Sequence, residues 1–206
     1  MHIVVSGNIG SGKTTLTRLL AKHYGWQAKL EPVINNPYLS DYYSDIPRWA
    51  FNLEVYFLKE RFRQALEIAA LGSNVVQDRS VWEGVSVFVE NNMRMGNLAW
   101  RDYQTVISLF EQMQRQLRLP DLTVYLKADI AHLVRQIGRR GRDYEQGISI
   151  DYLQGLNALY DRFVGEIYPG RVLTIDVSGL DFQHNASDLR LILDKVDPLV
   201  SGLFPL

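Results

Sequence analysis

Gly7-Asn8-Ile9-Gly10-Ser11-Gly12-Lys13-Thr14 follows the apolar run His2–Ser6 without a break. It fits the pattern G-x-x-x-x-G-K-[ST] at every fixed position. The context agrees with the letters: a β-type run ends before Gly7, and a helical pattern over Thr15–Lys22 opens just after the loop. Glycines let the backbone wrap closely enough for successive N–H groups to point at phosphate oxygens. Lys13 would neutralise the β- and γ-phosphates of a bound ATP, and the Thr14 hydroxyl would hold Mg²⁺. The helix that begins at Thr15 adds the partial positive charge of its N-terminus. The loop implies nucleotide binding and leaves the reaction open.

Outward from the loop, four further β-type runs stand out: Ala28–Glu31, Asn74–Asp78, Leu122–Lys127 and Val172–Val177. Several are near-continuous apolar stretches, as expected of strands covered on both faces of a parallel sheet. Helical periods lie between them. In Tyr103–Leu117 the residues Val106, Leu109, Phe110, Met113 and Leu117 recur at three- and four-residue steps, predicting one buried stripe. Trp49–Leu71 is apolar on more than one face, so it is either internal or shared with a partner chain. Asp129 reads as the N-cap of a helix to about Arg140, and a last helix is expected from near Ser187 to a stop before Pro198. The alternation predicts an α/β protein, a three-layer P-loop NTPase fold with a five-stranded parallel sheet, of the nucleoside/nucleotide kinase type. Ligands in that architecture sit at the carboxyl ends of the strands.

Composition narrows the class. The 206 residues, 47% hydrophobic, suit a single domain over 1–206, with no repeat or linker to divide it. Lys+Arg 22 against Asp+Glu 23 leaves a net charge of -1, which argues against a nucleic-acid partner. There are no cysteines, hence no disulfide framework and no thiolate zinc site. No apolar run approaches the roughly 20 residues of a membrane span, and the N-terminus lacks a signal pattern, so a cytoplasmic location is expected.

Glu31 closes the second β-type run, and Asp78-Arg79-Ser80 closes the third. Phosphoryl transfer to an alcohol needs a carboxylate near the hydroxyl, a cation on the moving phosphate and an acid near the metal. Glu31, Arg79 and Asp78 have those chemistries at adjacent strand ends. Farther on, Arg139, Arg140 and Arg142 follow a capped helix in a nearly neutral chain, which suits a mobile clamp on polyphosphate over about 136–147.

With these pieces together, the sequence resembles the deoxyribonucleoside kinase family over nearly its whole length. The landmarks are the Gly7–Thr14 loop, Glu31-Pro32-Val33, Asn36-Pro37-Tyr38, Arg48-Trp49-Ala50-Phe51, Tyr56-Phe57-Leu58, Asp78-Arg79-Ser80 and the run Arg140-Gly141-Arg142-Asp143-Tyr144-Glu145-Gln146-Gly147. The ending Gly202-Leu203-Phe204-Pro205-Leu206 looks like that of bacterial members. The resemblance implies ATP and Mg²⁺ as cofactors, a small-molecule deoxynucleoside as acceptor, and a homodimer. It implies that Glu31 meets the 5′-hydroxyl as base, with Asp78 near Mg²⁺ as the other candidate for that role, and that Arg79 bridges acceptor and phosphate. Tyr43 and Glu145 would hold the 3′-hydroxyl, Glu54 and Arg61 would line the base pocket, and Leu180-Asp181-Phe182 would meet the adenine of ATP.

Departures from the family pattern touch one phosphate contact in the lid and the base pocket. Gln136, with Arg135 beside it, stands where the family's lid has another Arg. Glu54 replaces a Gln, and Gly84 replaces an Asp. If Glu54 supplies the carboxylate that Arg61 would otherwise lack, the pair stays neutral and the acceptor moves. A carboxylate only accepts, so it favours bases with an exocyclic amino group and disfavours thymine. With room left at Gly84, the expected order is deoxyadenosine slightly ahead of deoxyguanosine, then deoxycytidine, then thymidine. The rival readings are a thymidylate-kinase-like monophosphate kinase and a non-catalytic ATP-binding subunit. Lys29-Leu30 beside Glu31 offers no Arg for a monophosphate acceptor, and intact Lys13, Thr14, Glu31, Asp78 and Arg79 count against the second.

Overall fold

In β1 (His2–Gly7) every residue after His2 is buried, so an apolar segment with no polar alternation can only lie between two layers of helix. Gly12 then turns the chain at φ 88° into α1 (Lys13–Tyr24), which Gly25 ends in the left-handed conformation. The computed structural model describes residues 1–31, 33, 36–145 and 147–202. Pro32, Gln146 and the ending 203–206, parts of three landmark runs, lie outside them.

After β2 (Gln27–Lys29) come a short α2 (Leu39–Ser44) and the long α3 (Ile46–Leu71). Asp45 caps α3 by accepting from the Arg48 N–H, and Pro47 occupies the first turn, where it needs no donor. β3 (Val75–Asp78) leads through a Ser80/Glu83 capping box into α4 (Val81–Glu83), a π-helical segment (Gly84–Val89) and α5 (Glu90–Arg94). Next are α6 (Trp100–Gln114), β4 (Leu122–Lys127) and α7 (Ile130–Arg140), which Asp129 caps by accepting from the His132 N–H at 2.6 Å. A 3₁₀ turn (Asp143–Glu145), α8 (Ile150–Arg162) with a π-helical end (Phe163–Ile167), β5 (Val172–Asp176) and α9 (Ala186–Ser201) complete the order.

The five strands are all parallel in the order β2-β3-β1-β4-β5. The chain builds outward from β1 on one side and then the other, which makes the end of β1 the topological switch point. Register sets Val5 opposite Asp78 and Gly7 opposite Leu126, so the phosphate loop leaves the sheet between the ends of β3 and β4. Ile3, Val5, Val76, Leu122 and Val124 are fully enclosed; burial of such side chains is worth about 1.5–3 kcal/mol each.

The fold is the expected α/β architecture, with corrections in its parts. β2 stops at Lys29, and Gln27 and Ala28 are exposed, because an edge strand is covered less than a central one. Leu109 does not join the buried stripe of α6; it is 39% exposed while Val106 and Phe110 are enclosed. α9 runs through Pro198 to Ser201. One turn remains beyond that proline, Val196 and Val200 are buried against the core, and the turn is thereby held. The helices at 39–44, 81–94 and 150–162 have no counterpart in the sequence reading.

Candidate active site

The loop is built around glycines that cannot carry a side chain. A Cβ on Gly7 would lie 2.7 Å from the Leu126 carbonyl oxygen, and one on Gly12 would lie 2.5 Å from Phe182 Cζ. Asn8 does not point at the phosphate position. Its side-chain amide donates to the Leu153 carbonyl at 2.9 Å and to Asn157 Oδ1 at 2.7 Å, tying the loop to α8. Lys13 Nζ donates to the Asn8 carbonyl at 2.6 Å. Burial and the neighbouring Arg79 lower the Lys13 pKa, against the pull of Asp78, Glu83 and Glu31.

Three strand ends meet beside it. Thr14 Oγ1 donates to Asp78 Oδ2 at 2.5 Å, while Asp78 Oδ1 is buried with no partner among the described residues. Burial raises the Asp78 pKa, and Glu31 adds to the shift. A buried carboxylate with one orphaned oxygen beside a threonine hydroxyl fits a divalent cation bound to phosphate, so the residues present suit Mg²⁺. Glu31 is opposite in character. Burial pushes its carboxyl up, but Arg79 and Arg61 outweigh that and hold it below the usual carboxylate range. Its Oε2 accepts from Arg79 Nε at 3.0 Å, and its Oε1 accepts from Arg61 Nη2. Arg79 in turn donates to the Tyr160 hydroxyl at 2.5 Å and lies 4.6 Å above the Phe88 ring.

Two cavities open at this edge. One, of about 210 Å³, is lined by Glu31, Tyr43, Glu54, Arg61, Arg79 and Glu145, every residue assigned to the acceptor. The other, of about 520 Å³, is lined by Gly10, Ser11, Gly12, Thr15 and Asp181-Phe182, with Leu180, Gln136 and Arg139. Lys13, Thr14, Arg18, Arg140 and Arg142 line both, so the cavities meet at the phosphate loop and lid. Gln136 faces the second cavity, and Arg135 is not among its lining residues. Gly7 and Asn8 lie behind the loop and line neither; Ile9 faces the first cavity.

The lid arginines are engaged with the acceptor side. Arg140 Nε donates to Glu145 Oε2 at 3.0 Å and Arg142 Nη1 to Oε1 at 3.2 Å. Tyr43 stacks on Tyr144 with ring centroids 5.7 Å apart. At the base end, two expectations are corrected. Arg61 takes its carboxylate from Glu31, whereas Glu54 Oε1 accepts from Asn92 Nδ2 at 2.8 Å. Gly84 leaves no free room for a larger base: a Cβ there would collide with Arg61 Nη1, whose guanidinium fills the space and lies 4.8 Å over Phe57. Sequence reasoning also missed Arg18, Glu83, Asn92, Tyr152 and Tyr160. Arg18 was findable, since it follows Thr14 by four residues on one helix and therefore shares its face. Glu83 was findable too, as the last residue of the Ser80-x-x-Glu83 capping box; Asn92, Tyr152 and Tyr160 come from helices with no motif to flag them.

A parallel α/β sheet with this loop at its switch point, Thr14 hydrogen-bonded to the buried Asp78, and two joined cavities define a P-loop phosphotransferase. A sequence model described as deoxynucleoside kinase matches residues 3–201. The chain is 34% identical to the deoxyadenosine/deoxycytidine kinase of Bacillus subtilis, across 96% of this chain and 92% of that one. It is 31% identical to the deoxyguanosine kinase of the same organism, across 96% and 97%. The solved structure of deoxyadenosine kinase from M. mycoides with bound dATP superposes with a TM-score of 0.85 at 28% identity, covering 96% of this chain and 99% of that one. The chain belongs to the deoxynucleoside kinase family, which makes it a transferase. Among the described residues, no helix is long and apolar enough to cross a membrane.

Proposed function

We propose that this chain transfers the γ-phosphate of ATP to the 5′-hydroxyl of a purine deoxynucleoside, deoxyadenosine slightly ahead of deoxyguanosine, with deoxycytidine weaker and thymidine worst. The observation that carries the reading is the junction of the two cavities at Lys13 and Thr14, where a donor phosphate and an acceptor hydroxyl would meet. Relatives of this chain include kinases named for deoxyadenosine and for deoxyguanosine. Glu54 and Arg61 on one face of α3 supply a polar base end to a cavity otherwise walled by Leu53, Phe57 and Phe88.

In this reading Glu31 is the base. It lines the acceptor cavity as an ionised carboxylate oriented by Arg61 and Arg79, whereas Asp78 is buried against Thr14 and does not line it. Arg79 would bridge acceptor and phosphate, and Tyr43 with Glu145 would hold the 3′-hydroxyl. Thr14 and Asp78 would hold Mg²⁺, which supplies charge neutralisation on the β- and γ-phosphates. Arg140 and Arg142 would close on the polyphosphate, with Asp181 and Phe182 against the donor's adenine. The protein works as one domain, a cytoplasmic homodimer joined by helices. Steady-state turnover of the four deoxynucleosides with ATP and Mg²⁺ tests this. Thymidine as best substrate overturns the base assignment; phosphorylation of dAMP or dTMP alone overturns the choice of acceptor.

A further inference from the structure

Glu54 lies in α3 with only 4% of its surface exposed, and it has no ion-pair partner among the described residues. The cation on its own helix face, Arg61, is committed to Glu31. Its contacts with the protein are asymmetric. Asn92 Oδ1 accepts from the Tyr42 hydroxyl at 3.0 Å and from Asn97 Nδ2 at 3.3 Å, which turns its amide N–H₂ toward Glu54. The Asn92 amide N–H₂ therefore donates to Glu54 Oε1 at 2.8 Å whether or not the carboxyl is ionised. Oε2 has no partner among the described residues, and Glu54 lines the cavity, so Oε2 is the oxygen left for a proton and for a ligand.

We propose that the protonation state of Glu54 selects the purine edge: the neutral carboxyl receives adenine, and the carboxylate receives guanine. The inference rests on the reading that this cavity receives the base of a purine deoxynucleoside. A neutral carboxyl offers one O–H donor and one acceptor, matching the N1 acceptor and N6 amino donor of adenine. A carboxylate offers acceptors alone, matching the N1–H and N2 amino donors of guanine. Either mismatch leaves a polar group unpaired in a buried pocket, where discrimination reaches several powers of ten.

The surroundings put the change near neutrality. Burial pushes the Glu54 pKa up, Arg61 and the Asn92 hydrogen bond pull it down, Glu31 beyond β2 pushes it up and Arg79 beyond β3 pulls it down, with the balance at about 7. The hydroxyls of Tyr42 in α2 and Tyr152 in α8, 3.1 Å apart, complete the polar neighbours. Burial raises both tyrosines well above neutrality, so neither competes for the proton between pH 6 and 8.

The test is kcat/KM for deoxyadenosine and for deoxyguanosine between pH 6 and 8, read as their ratio at each pH so that ionisations of shared catalytic groups cancel. The deoxyadenosine-to-deoxyguanosine ratio is expected to fall about tenfold or more over that range. Glu54→Gln, a permanent donor and acceptor, should hold the ratio flat within about twofold and in favour of deoxyadenosine. A flat wild-type ratio overturns the inference, as does an unchanged fall in Glu54→Gln. If that variant does not fold, the ¹³C carboxyl shift of Glu54 in the wild type takes its place: a midpoint near 7 supports the assignment, and one below about 5 overturns it. Turnover of neither nucleoside at any pH removes the nucleoside reading itself, and the inference with it.

Discussion

Arg79 has φ 66°, the one positive value among the described residues other than glycine. A side chain in that region costs about 1–2 kcal/mol, so the surroundings must hold it. Its N–H donates to the Val5 carbonyl at 3.0 Å, and its guanidinium spans Glu31 and Tyr160, with Glu83 3.9 Å away. Glu83 is itself fully enclosed, accepting from Ser6 Oγ and from the Tyr160 hydroxyl. The strained turn thus aims Arg79 into the acceptor cavity beside Glu31. Glu31→Gln and Asp78→Asn should each lower kcat by about 10²-fold or more, with nucleoside Kd changed far less, because both carboxylates act mainly on the transition state. Lys13→Ala should abolish ATP-dependent turnover. Steady-state kinetics with equilibrium dialysis checks all three, and a near-normal kcat in either carboxylate variant removes that residue from the mechanism.

Between α4 and α5 the π-helical segment opens at Gly84, which lies directly against the end of Arg61 from α3. This contact joins two elements on which the base end of the cavity depends. In Gly84→Ala the new methyl must displace the Arg61 guanidinium, which loosens its hold on Glu31. The displaced atoms are the end of a long side chain and alanine is the better helix former, so stability should change by less than about 1 kcal/mol. Catalysis should not be spared: kcat/KM for deoxyadenosine is expected to fall about tenfold or more. Thermal melting and kinetics on one preparation separate the two effects, and unaltered kinetics would show that Arg61 does not position Glu31.

Across the whole molecule, buried carboxylates work against one another as pH changes. Glu31, held low by its arginines against burial, contributes stability above the ordinary carboxylate range, and that stability is lost on acidification. Glu54 has the opposite sign. Its pKa is raised to about 7, so an unfolded chain releases this proton from about pH 4.3 upward while the fold retains it, and stability falls as pH rises between the two values. Glu54→Gln should therefore raise Tm at pH 8 and change it little at pH 5, with a ceiling of about 4 kcal/mol. Equal Tm shifts at both pH values would contradict that linkage. Assembly belongs to this scale too. Leu66 and Leu71 of α3 and Leu109 of α6 are 39–40% exposed, and Trp100 at the start of α6 is 60% exposed. These apolar residues lie on helices, the elements through which the two-fold homodimer proposed above would join. Light scattering at micromolar concentration should give twice the chain mass, and a monomeric mass would exclude it.

The sequence by itself determined the layers and the phosphate chemistry. Gly7–Thr14 is a contiguous motif, the strand runs are local, and the cap at Asp129 acts within a turn, so each is legible without knowing the rest of the chain. The strand ends pointed to Glu31, Asp78 and Arg79, the resemblance added Tyr43, Glu54, Arg61 and Glu145, and the fold brings all of them to the carboxyl edge of the sheet. The partners of those residues were decided only by the tertiary structure. Arg61 looked paired with Glu54 because seven residues put them on one helix face, yet Glu31, 30 positions away, takes its charge. Gly84 looked like vacant space because a side chain is missing from the sequence, and Arg61 fills it. Asn92, 38 positions from Glu54, and Tyr160, 81 from Arg79, came into reach only when α5 and α8 packed against the sheet. Hydrogen bonds and ion pairs depend on distances of a few ångströms between groups remote in sequence, and only the packed fold determines those distances.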